Sequence, residues 1–284
     1  MTVARSPRAL CATVTVALAA ALVAVAGVGV AVDVAARQRR QGQSNRFPQP
    51  TESSFDGAFN FCRIAFQTGR RRGSGWSVDY PRADVNLSIR LSELTRTRVS
   101  FDADKEPRHF VLTLADPSLF RCPFVMMTEP GGLVLDESEV MPLRHYLQKG
   151  GFLWVDDFWG TAAWAGFEQE MRRVLPTDQY QWRDLDPSHA IFRTQFPVAN
   201  VKQIPSINFW GGVAGNTSEN GSDSRVPHAR AFLDNEGRIM VLATHNTDYG
   251  DSWEREGDDP DYFYTFSVDG YAFGINVVLY ALTH

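Results

Sequence analysis

The sequence lacks most of the motifs by which enzyme families are recognised. It has no GxGxxG, GxxxxGKS/T, HExxH or GxSxG pattern, which argues against a dinucleotide fold, a P-loop, a zinc-protease helix and a serine-hydrolase turn. Cysteine is also scarce: only 3 of the 284 residues are cysteines, and none has the CxxC spacing of a zinc or thioredoxin-type site. The motifs of the sequence therefore identify no reaction, and we predict no cofactor and no metal.

The three cysteines are unevenly placed. Cys11 lies in an apolar N-terminal run, whereas Cys62 and Cys122 lie in the part of the chain that we expect to fold. We predict that Cys62 and Cys122 are buried free thiols, since an unpaired cysteine packs as a small hydrophobic residue. A disulfide between them is the alternative if the chain enters an oxidising compartment.

The chain carries little excess charge. Its formal net charge is −5, so it offers no electrostatic reason to expect a nucleic-acid partner. Hydrophobic residues make up 44% and charged residues 21%, a balance that predicts a folded domain with a buried core.

One long hydrophobic run, at residues 10–32, is long enough to cross a hydrocarbon layer of about 30 Å. It is either an uncleaved anchor or a signal peptide, with small residues at 34–36 offering a cleavage site. We therefore predict a signal peptide or membrane-anchor helix over 1–36 and a flexible linker over 37–57. The protein is expected to be membrane-anchored or secreted, in the cell envelope or periplasm, and to meet the membrane through this helix.

From residue 58 to residue 284, apolar strand-like runs alternate with amphipathic helical runs, interrupted by a loop-rich insertion at about 177–236. This alternation predicts an α/β domain of three layers, in which a mostly parallel sheet is covered by helices on both faces. Residues 84–95 fit either a strand or a helix, and Pro81 just upstream favours the helix. We predict strands at 59–66, 98–101, 123–128, 152–155 and 238–244, and helices at 84–95, at 137–149, from a Thr161 cap to Pro176, and at 271–282.

Ligands of open parallel sheets bind at the carboxyl ends of the strands, so the segments that follow the predicted strands are the expected location of a site. After the first strand come Trp76, Asp79, Tyr80 and Asp84, a set that suits a sugar or a cation. The alternative is that Trp76 packs the loop and Asp84 caps the helix.

Asp156 and Asp157 end an otherwise apolar strand, and burying two adjacent carboxylates is costly unless each is bonded or paired. Either of them is a candidate general base or cation ligand, and the alternative is helix-cap and loop hydrogen bonding. His189 is a weaker catalytic candidate in a loop, where a structural hydrogen bond is the favoured interpretation.

A third acidic and aromatic group follows the last predicted strand. Asp248, Asp251 and Glu254 are spaced three apart, with Trp253 among them. Their oxygens suit a hard cation, but the spacing is not that of an EF-hand loop. A solvated acidic loop is the favoured alternative. We select Asp248, Trp253 and Glu254 as ligand-binding candidates, beside the earlier set of Trp76, Asp79, Tyr80 and Asp84.

Four separated blocks resemble one bacterial family, the domain-of-unknown-function 4159 family, from about residue 59 to the C-terminus. They are GWSVDYPRADVNL at 75–87, PFVMMT at 123–128, LRHYLQKGGFLWVDD at 143–157 and GINVVLYAL at 274–282. The family looks related to the class I glutamine amidotransferase-like fold, a flavodoxin-like layered sheet. The resemblance therefore implies a fold and not a reaction.

The amidotransferase class places its nucleophilic cysteine in a Gly-x-Cys-x-Gly turn after a buried strand. The run that looks equivalent here, 156–160, has no cysteine, and His245 lacks the expected His-Pro-Glu context. Acyl transfer needs an activated nucleophile beside a base, so glutaminase activity is not expected.

Three functions remain open. We favour a non-catalytic envelope domain that binds a glycan or protein partner in a cleft lined by Trp76, Tyr80, Trp159 and Trp253. The first alternative is a hydrolase that uses carboxylates, with or without a divalent metal. The second is a structural subunit of a membrane assembly.

Overall fold

The computed structural model describes residues 47–69, 75–212 and 215–284, and residues 49–284 form one compact unit. The predicted N-terminal helix over 1–36 and the first part of the predicted linker lie outside the described residues. Residues 49–57, predicted as linker, belong to the compact unit: the Gln49 side chain donates a 3.0 Å hydrogen bond to the Val111 carbonyl.

Within the described residues, the domain is built on a mixed, mostly parallel sheet of seven strands in the order β3-β1-β4-β6-β9-β8-β7. The first five in this order run parallel, and β8 and β7 extend the sheet antiparallel. The two remaining strands, β2 and β5, pair antiparallel in a small separate sheet. The strands are β1 (Phe61–Ile64), β2 (Gln67–Thr68), β3 (His109–Leu112), β4 (Phe124–Thr128), β5 (Leu133–Val134), β6 (Phe152–Asp156), β7 (Trp182–Asp184), β8 (His228–Leu233) and β9 (Ile239–His245).

Helices cover both faces of the sheet, which explains why β1, β4, β6 and β9 are buried along their whole length. Phe61 and Trp154 point into one core with α1, α5 and α7, whereas Cys62 and Leu153 point into the other with α2 and α3. The predicted three-layer α/β architecture is therefore observed. The helices are α1 (Arg82–Leu94), α2 (Glu137–Gln148), α3 (Gly160–Val174), α4 (Ile207–Gly212), α5 (Tyr249–Glu254), α6 (Pro260–Tyr262) and α7 (Val268–Thr283).

Local sequence signals account for two of the helices. The segment that fitted either a strand or a helix is α1, as predicted from Pro81. Helix α2 begins with a capping box formed by Asp136 and Glu139 and contains Pro142 in its interior. It ends before Gly150, whose φ of 102° gives the left-handed conformation that terminates a helix.

Several predicted boundaries are wrong. Thr161 does not cap α3, because the helix already begins at Gly160 and the Thr161 amide donates to Asp223 instead. Residues 98–101 form only isolated bridges, at Val99 and Phe101. The segment predicted as a loop-rich insertion supplies strands β7 and β8 and helix α4. Strand β3 was not predicted, since four residues carry too little pattern to identify a strand.

Cys62 and Cys122 form a disulfide, so the prediction of two free thiols is wrong. Cys62 lies on β1 and Cys122 lies just before β4, the neighbouring strand in the sheet. The pairing brings their Cα atoms to 6.3 Å, within the range that a disulfide requires. Only the strand order brings the two residues together, and the chain between them gives no sign of it.

One described helical segment, residues 260–283, is long and apolar enough to cross a membrane, but 61% of its most apolar window is buried within the domain. Phe273, Ile275 and Val278 of this segment belong to the core against the sheet. Its hydrophobicity is therefore accounted for by packing, as in the central helix of a layered domain.

We expect the disulfide to stabilise the domain, because it closes a loop between residues 60 positions apart and so restricts the unfolded chain. The variant Cys62→Ala/Cys122→Ala should lose about 2–4 kcal/mol of unfolding free energy, measured by urea denaturation. Thiol titration of the denatured, non-reduced wild type should find one free thiol, that of Cys11, in a chain that keeps residues 1–36, and none in a chain cleaved after them. Three free thiols, or an unchanged denaturation midpoint in the variant, would contradict the assignment.

Candidate functional site

A cleft of about 460 Å³ lies where β1, β4, β6 and β9 end. These four strands are parallel, so their carboxyl ends meet at one edge of the sheet, where ligands of such folds bind. Most of the charged side chains that line the cleft are acidic, and Arg255 is the one cation among its described lining residues. The acids are Asp79, Glu129, Asp157, Glu219, Asp248, Asp251 and Glu254.

The turns that follow the strands share an uncommon backbone conformation. Glu129 follows β4 with a φ of 48°, Asp157 follows β6 with a φ of 58°, and Asn246 follows β9 with a φ of 64°. In the loop after β1, Asp79 has a φ of 60°. Non-glycine residues adopt this left-handed region at a cost, and Asp and Asn tolerate it best. Such residues concentrate at functional sites, so their gathering at one edge marks this edge for a role.

The turns after β4, β6 and β9 are bonded to one another along the edge. The Glu129 amide donates to the Asp156 carbonyl, and the Asn246 amide donates to the Phe158 carbonyl, both at 3.0 Å. The Asn246 side chain in turn accepts from the Gly160 amide at 2.8 Å. The edge is therefore a connected, fixed rim rather than a set of independent loops.

The loop that carries Asp79 is held by a buried arginine. The Arg63 guanidinium donates to the Trp76 carbonyl at 3.2 Å and to the Val78 carbonyl at 3.1 Å. It also donates to the Thr128 hydroxyl and forms an ion pair with Asp84, whose side chain is fully buried like its own. Asp84 therefore serves Arg63 and does not line the cleft, so its prediction as a ligand-binding residue is wrong.

Three carboxylates converge inside the cleft. Oxygens of Asp79, Asp248 and Asp251 all lie within 4.8 Å of one another, and these residues are 6%, 3% and 6% exposed. Asp248 is the N-cap of α5 and accepts from the Asp251 amide, while Asp251 accepts from the Ile207 amide at 2.6 Å. The preferred sequence interpretation of this segment, a solvated acidic loop, is wrong, because the loop folds inward beneath α4.

The third member of this group has an unsatisfied oxygen. Asp79 Oδ2 is buried and has no hydrogen-bond partner among the described residues. It lies against Gly250, where a Cβ atom would come within 2.3 Å of it. A buried polar atom without a partner is uncommon in native proteins and calls for a water, an ion or a ligand group.

Burial sets the electrostatics of these acids. It raises the pKa of Asp79, Asp157 and Asp248 well above the ordinary value. The nearby Arg63 opposes this rise in pKa at Asp79, whereas the acids repel one another and reinforce it. Each of these carboxyls is therefore stabilised by a proton or by added positive charge.

The same cause acts on two further acids. Burial raises the pKa of Asp251 to about 6 and the pKa of Asp156 to about 7. Arg255 offsets part of the charge at the rim, since its Nε lies 2.7 Å from Glu254 and 3.7 Å from Asp251. Its guanidinium forms no ion pair with Asp79 or Asp248 among the contacts of the described residues, so it compensates Glu254 and Asp251 more than Asp79 and Asp248.

A family model for a domain of unknown function, DUF4159, matches residues 61–282, which include every strand of the sheet. The chain belongs to the DUF4159 family. A search of curated proteins gives no match to it.

The cleft of this DUF4159 domain gathers part of the predicted site. Asp79, Asp157, Asp248 and Glu254 line it, as does Trp159. Their meeting follows from the parallel strands, whose carboxyl ends lie at one edge. Asp251 was noted in the sequence but not selected, and structurally it belongs with the inner acids.

The predicted aromatic residues lie elsewhere. Trp253 is fully buried and packs on Trp154 with ring centroids 5.4 Å apart, so the prediction that it lines the cleft is wrong. Trp76 and Tyr80 pack on each other, and Tyr80 also contacts His109, which places these rings beside the cleft rather than among its lining residues.

Two catalytic candidates have structural roles. Asp156 accepts from the Thr244 hydroxyl and from the amides of Tyr249 and Gly250, so it anchors the start of α5 to the sheet. His189 accepts from the Ile191 amide and lies outside the cleft. The structural alternatives considered for both residues therefore account for their contacts.

Two residues that build the site were not predicted. Arg63 stands between apolar neighbours on β1, and a charge in a fully buried strand was the available signal. Glu129 accepts from the Gly75 amide and joins the rim, but a single acid in a Pro-Gly-Gly turn carries no distinguishing pattern.

We expect the stability of the domain to fall as the pH rises. A carboxyl whose pKa is raised by folding adds to the unfolding free energy. This contribution is complete below the unfolded pKa near 4, and it is lost as pH rises through the folded pKa. For Asp251 and Asp156 the loss runs through about pH 6 and 7. His245 opposes this trend, since burial lowers its pKa to about 4 and its contribution is lost as pH falls. The acids whose pKa is raised are more numerous than this histidine, so the net effect is a loss of stability as pH rises.

In buffer with EDTA, the unfolding free energy should therefore drop by about 2 kcal/mol or more between pH 4.5 and 7.5, measured by urea denaturation. Asp156→Asn should reduce this drop, since the amide does not titrate: its oxygen accepts from the Tyr249 and Gly250 amides, while its NH2 group donates to the Thr244 hydroxyl, reversing that bond. Asp178→Asn, at an exposed turn, is the matched control and should leave the drop unchanged. A stability that rises steadily over this pH range would contradict the expectation.

Proposed function

We propose that this DUF4159 domain is an exported, non-catalytic ligand-binding domain whose cleft receives a positively charged group. The observation that carries the proposal is Asp79 Oδ2, which is buried beside Asp248 and Asp251 and lacks a partner among the described residues. Grouped buried carboxylates are stable only when positive charge or protons offset them. A cationic ligand supplies that charge without changing the fold.

The shape of the cleft supports the same function. Its volume of about 460 Å³ falls in the range of small-molecule sites. Trp159 stands at the cleft beside Asp157, to which its indole N–H donates at 3.0 Å. An aromatic ring next to carboxylates favours an amine, an amino sugar or a basic peptide over a neutral or anionic ligand.

The fold is proposed to be glutamine amidotransferase-like. Numbered in chain order, the five parallel strands have the sequence 2-1-3-4-5, which is the order of flavodoxin-like folds. The turn after β6, where that class holds its nucleophilic cysteine, carries Asp157. Glutaminase activity is not part of the proposal, because Cys62 and Cys122 are bonded to each other and His245 lies against the Gly160 carbonyl.

The hydrolase alternative keeps one supporting observation. Asp157 stands on a left-handed turn between β6 and α3, the kind of turn that exposes a nucleophile at the top of a sheet. The cleft has no histidine, lysine or cysteine among its described lining residues to activate a nucleophile. This weighs toward binding rather than covalent catalysis.

The binding proposal predicts that cations bind to the wild-type domain and that the binding depends on Asp79. Isothermal titration at pH 7.5 with a polyamine, a glucosamine oligomer, a lysine-rich peptide and divalent metal ions should identify at least one ligand. Asp79→Asn should weaken the binding of that ligand by about tenfold or more, because it removes the unpaired carboxylate. Asp178→Asn makes the same change in charge at an exposed turn and should have no effect.

The outcomes separate the two functions. If no cation of any class binds, the proposal fails. The same compounds and a panel of esters and glycosides are assayed for turnover. Hydrolysis by the wild type that is abolished in Asp157→Asn would favour the hydrolase over the binding domain.

Export is proposed on two grounds. The apolar run at 10–32 has the length of an anchor or leader, and disulfides such as Cys62–Cys122 persist in oxidising compartments. The same run is the proposed contact with the membrane.

The full chain with a C-terminal tag, produced in bacteria and fractionated, should therefore appear in the membrane fraction, the periplasm or the medium. Its Cys62–Cys122 bond should be intact there. A soluble cytoplasmic chain with all three thiols open to alkylation would contradict export.

A further inference from the structure

We infer that Asp79, Asp248 and Asp251 form a binding site for one divalent metal ion, with Ca²⁺ as the expected ion. The inference rests on the proposed function and names the ligand class for the same cleft. It is carried by the geometry of the three carboxylates and by the unpartnered oxygen of Asp79.

The spacing of the oxygens fits a single ion. Ca²⁺ binds oxygens at 2.3–2.6 Å, so two ligands on opposite sides of one ion lie at most about 5 Å apart. One oxygen from each of the three carboxylates lies within 4.8 Å of the other two. Three oxygens at that upper limit lie about 2.8 Å from a common centre, so a small rotation of the side chains brings an ion within bonding distance of all three.

The donor atoms indicate a hard cation. The three ligands are carboxylates, and no histidine or cysteine stands among the described residues of the cleft. Carboxylates select Ca²⁺, Mg²⁺ or Mn²⁺, whereas zinc and copper sites usually contain nitrogen or sulfur. Ca²⁺ accepts irregular arrangements of oxygens, whereas Mg²⁺ requires a near-ideal octahedron, so Ca²⁺ is the expected ion.

The local charge also matches a divalent ion. The three carboxylates bring three negative charges when ionised, and Arg255 lies 3.7 Å from Asp251 on the rim side. Arg63 is committed to Asp84 and to the backbone of the Asp79 loop. Since Arg255 is also paired with Glu254 and Asp258, the three carboxylates keep an excess of negative charge that one divalent ion would offset.

The ligands are fixed before any ion binds. Asp79 is held in a left-handed turn, Asp248 caps α5, and Asp251 is bonded to the Ile207 amide. Gly250 leaves the space that the Asp79 carboxylate fills, since a Cβ there would lie 2.3 Å from Asp79 Oδ2. Metal sites depend on such support around their ligands.

Gly250 therefore offers a test that leaves the charge of the site unchanged. Gly250→Ala should displace the Asp79 carboxylate and weaken Ca²⁺ binding by about tenfold or more, although every acid is retained. Gly257→Ala is the matched control, because a Cβ at Gly257 meets nothing within 4 Å. Asp79→Asn should weaken binding at least as much as Gly250→Ala.

The measurement is isothermal titration of the EDTA-treated, dialysed full chain with CaCl₂, repeated with MgCl₂ and MnCl₂. The wild type and Gly257→Ala should bind one Ca²⁺ with the same affinity. Circular dichroism establishes that each variant is folded. Competition of Ca²⁺ with tryptophan-sensitised Tb³⁺ luminescence gives a readout on the wild type that depends on no variant.

Three results would overturn the inference. One is the absence of Ca²⁺, Mg²⁺ and Mn²⁺ binding at millimolar concentration; if an organic cation then binds through Asp79, the proposed function stands while the metal site falls. Another is metal binding that Asp79→Asn and Gly250→Ala leave unchanged, which would place the ion at other acids. The third is a Tb³⁺ luminescence signal that excess Ca²⁺ does not reduce.

Discussion

The buried ion pair between Arg63 and Asp84 is the interaction on which the site depends. Both side chains are fully removed from water, which costs several kcal/mol per ion unless the partners are well placed. The arginine meets that requirement by donating to Asp84, to the Thr128 hydroxyl and to two carbonyls of the loop that follows β1. One side chain thereby joins β1, β4, α1 and the loop that carries Asp79.

This arrangement explains why a polar cleft exists at the edge of an apolar sheet. Parallel strands direct their ends to one side, and the left-handed residues at Glu129 and Asp157 turn the chain sharply at the rim. The acids are then close enough to repel one another, and burial removes the water that would screen them. Arg63 offsets part of this electrostatic repulsion at Asp79, but its guanidinium is already bonded to Asp84.

The sequence was sufficient where a pattern repeats along the chain. Fully apolar runs identified β4, β6 and β9, and the rule for parallel sheets brought Asp79, Asp157 and Asp248 to one rim. It was insufficient where the outcome depends on a distant partner. Nothing near Asp84 indicates Arg63 on another element, and the Cys62–Cys122 bond follows only from the pairing of β1 with β4.

Trp253 illustrates the same limit on a smaller scale. In the sequence it stands among acids, and that composition suggests an exposed loop. In the domain, α5 is helical, so Trp253 points back to Trp154 on the sheet while Asp251 and Glu254 face the cleft. A helix places sequence neighbours on different faces. A six-residue helix is too short for the helical repeat of apolar residues to be recognised in the sequence.

The location and the chemistry of the cleft bear on one another. Calcium sites of extracellular modules commonly have dissociation constants of about 10⁻⁴–10⁻³ M, a weak affinity that suffices where the ion is abundant. Two of the three inner carboxylates already accept hydrogen bonds from backbone amides of α4 and α5, so we expect a site of modest affinity. The proposed export therefore requires no tighter cage, and because Ca²⁺ takes 6–8 oxygens, three carboxylates leave open positions at which a second, oxygen-rich ligand would complete the coordination.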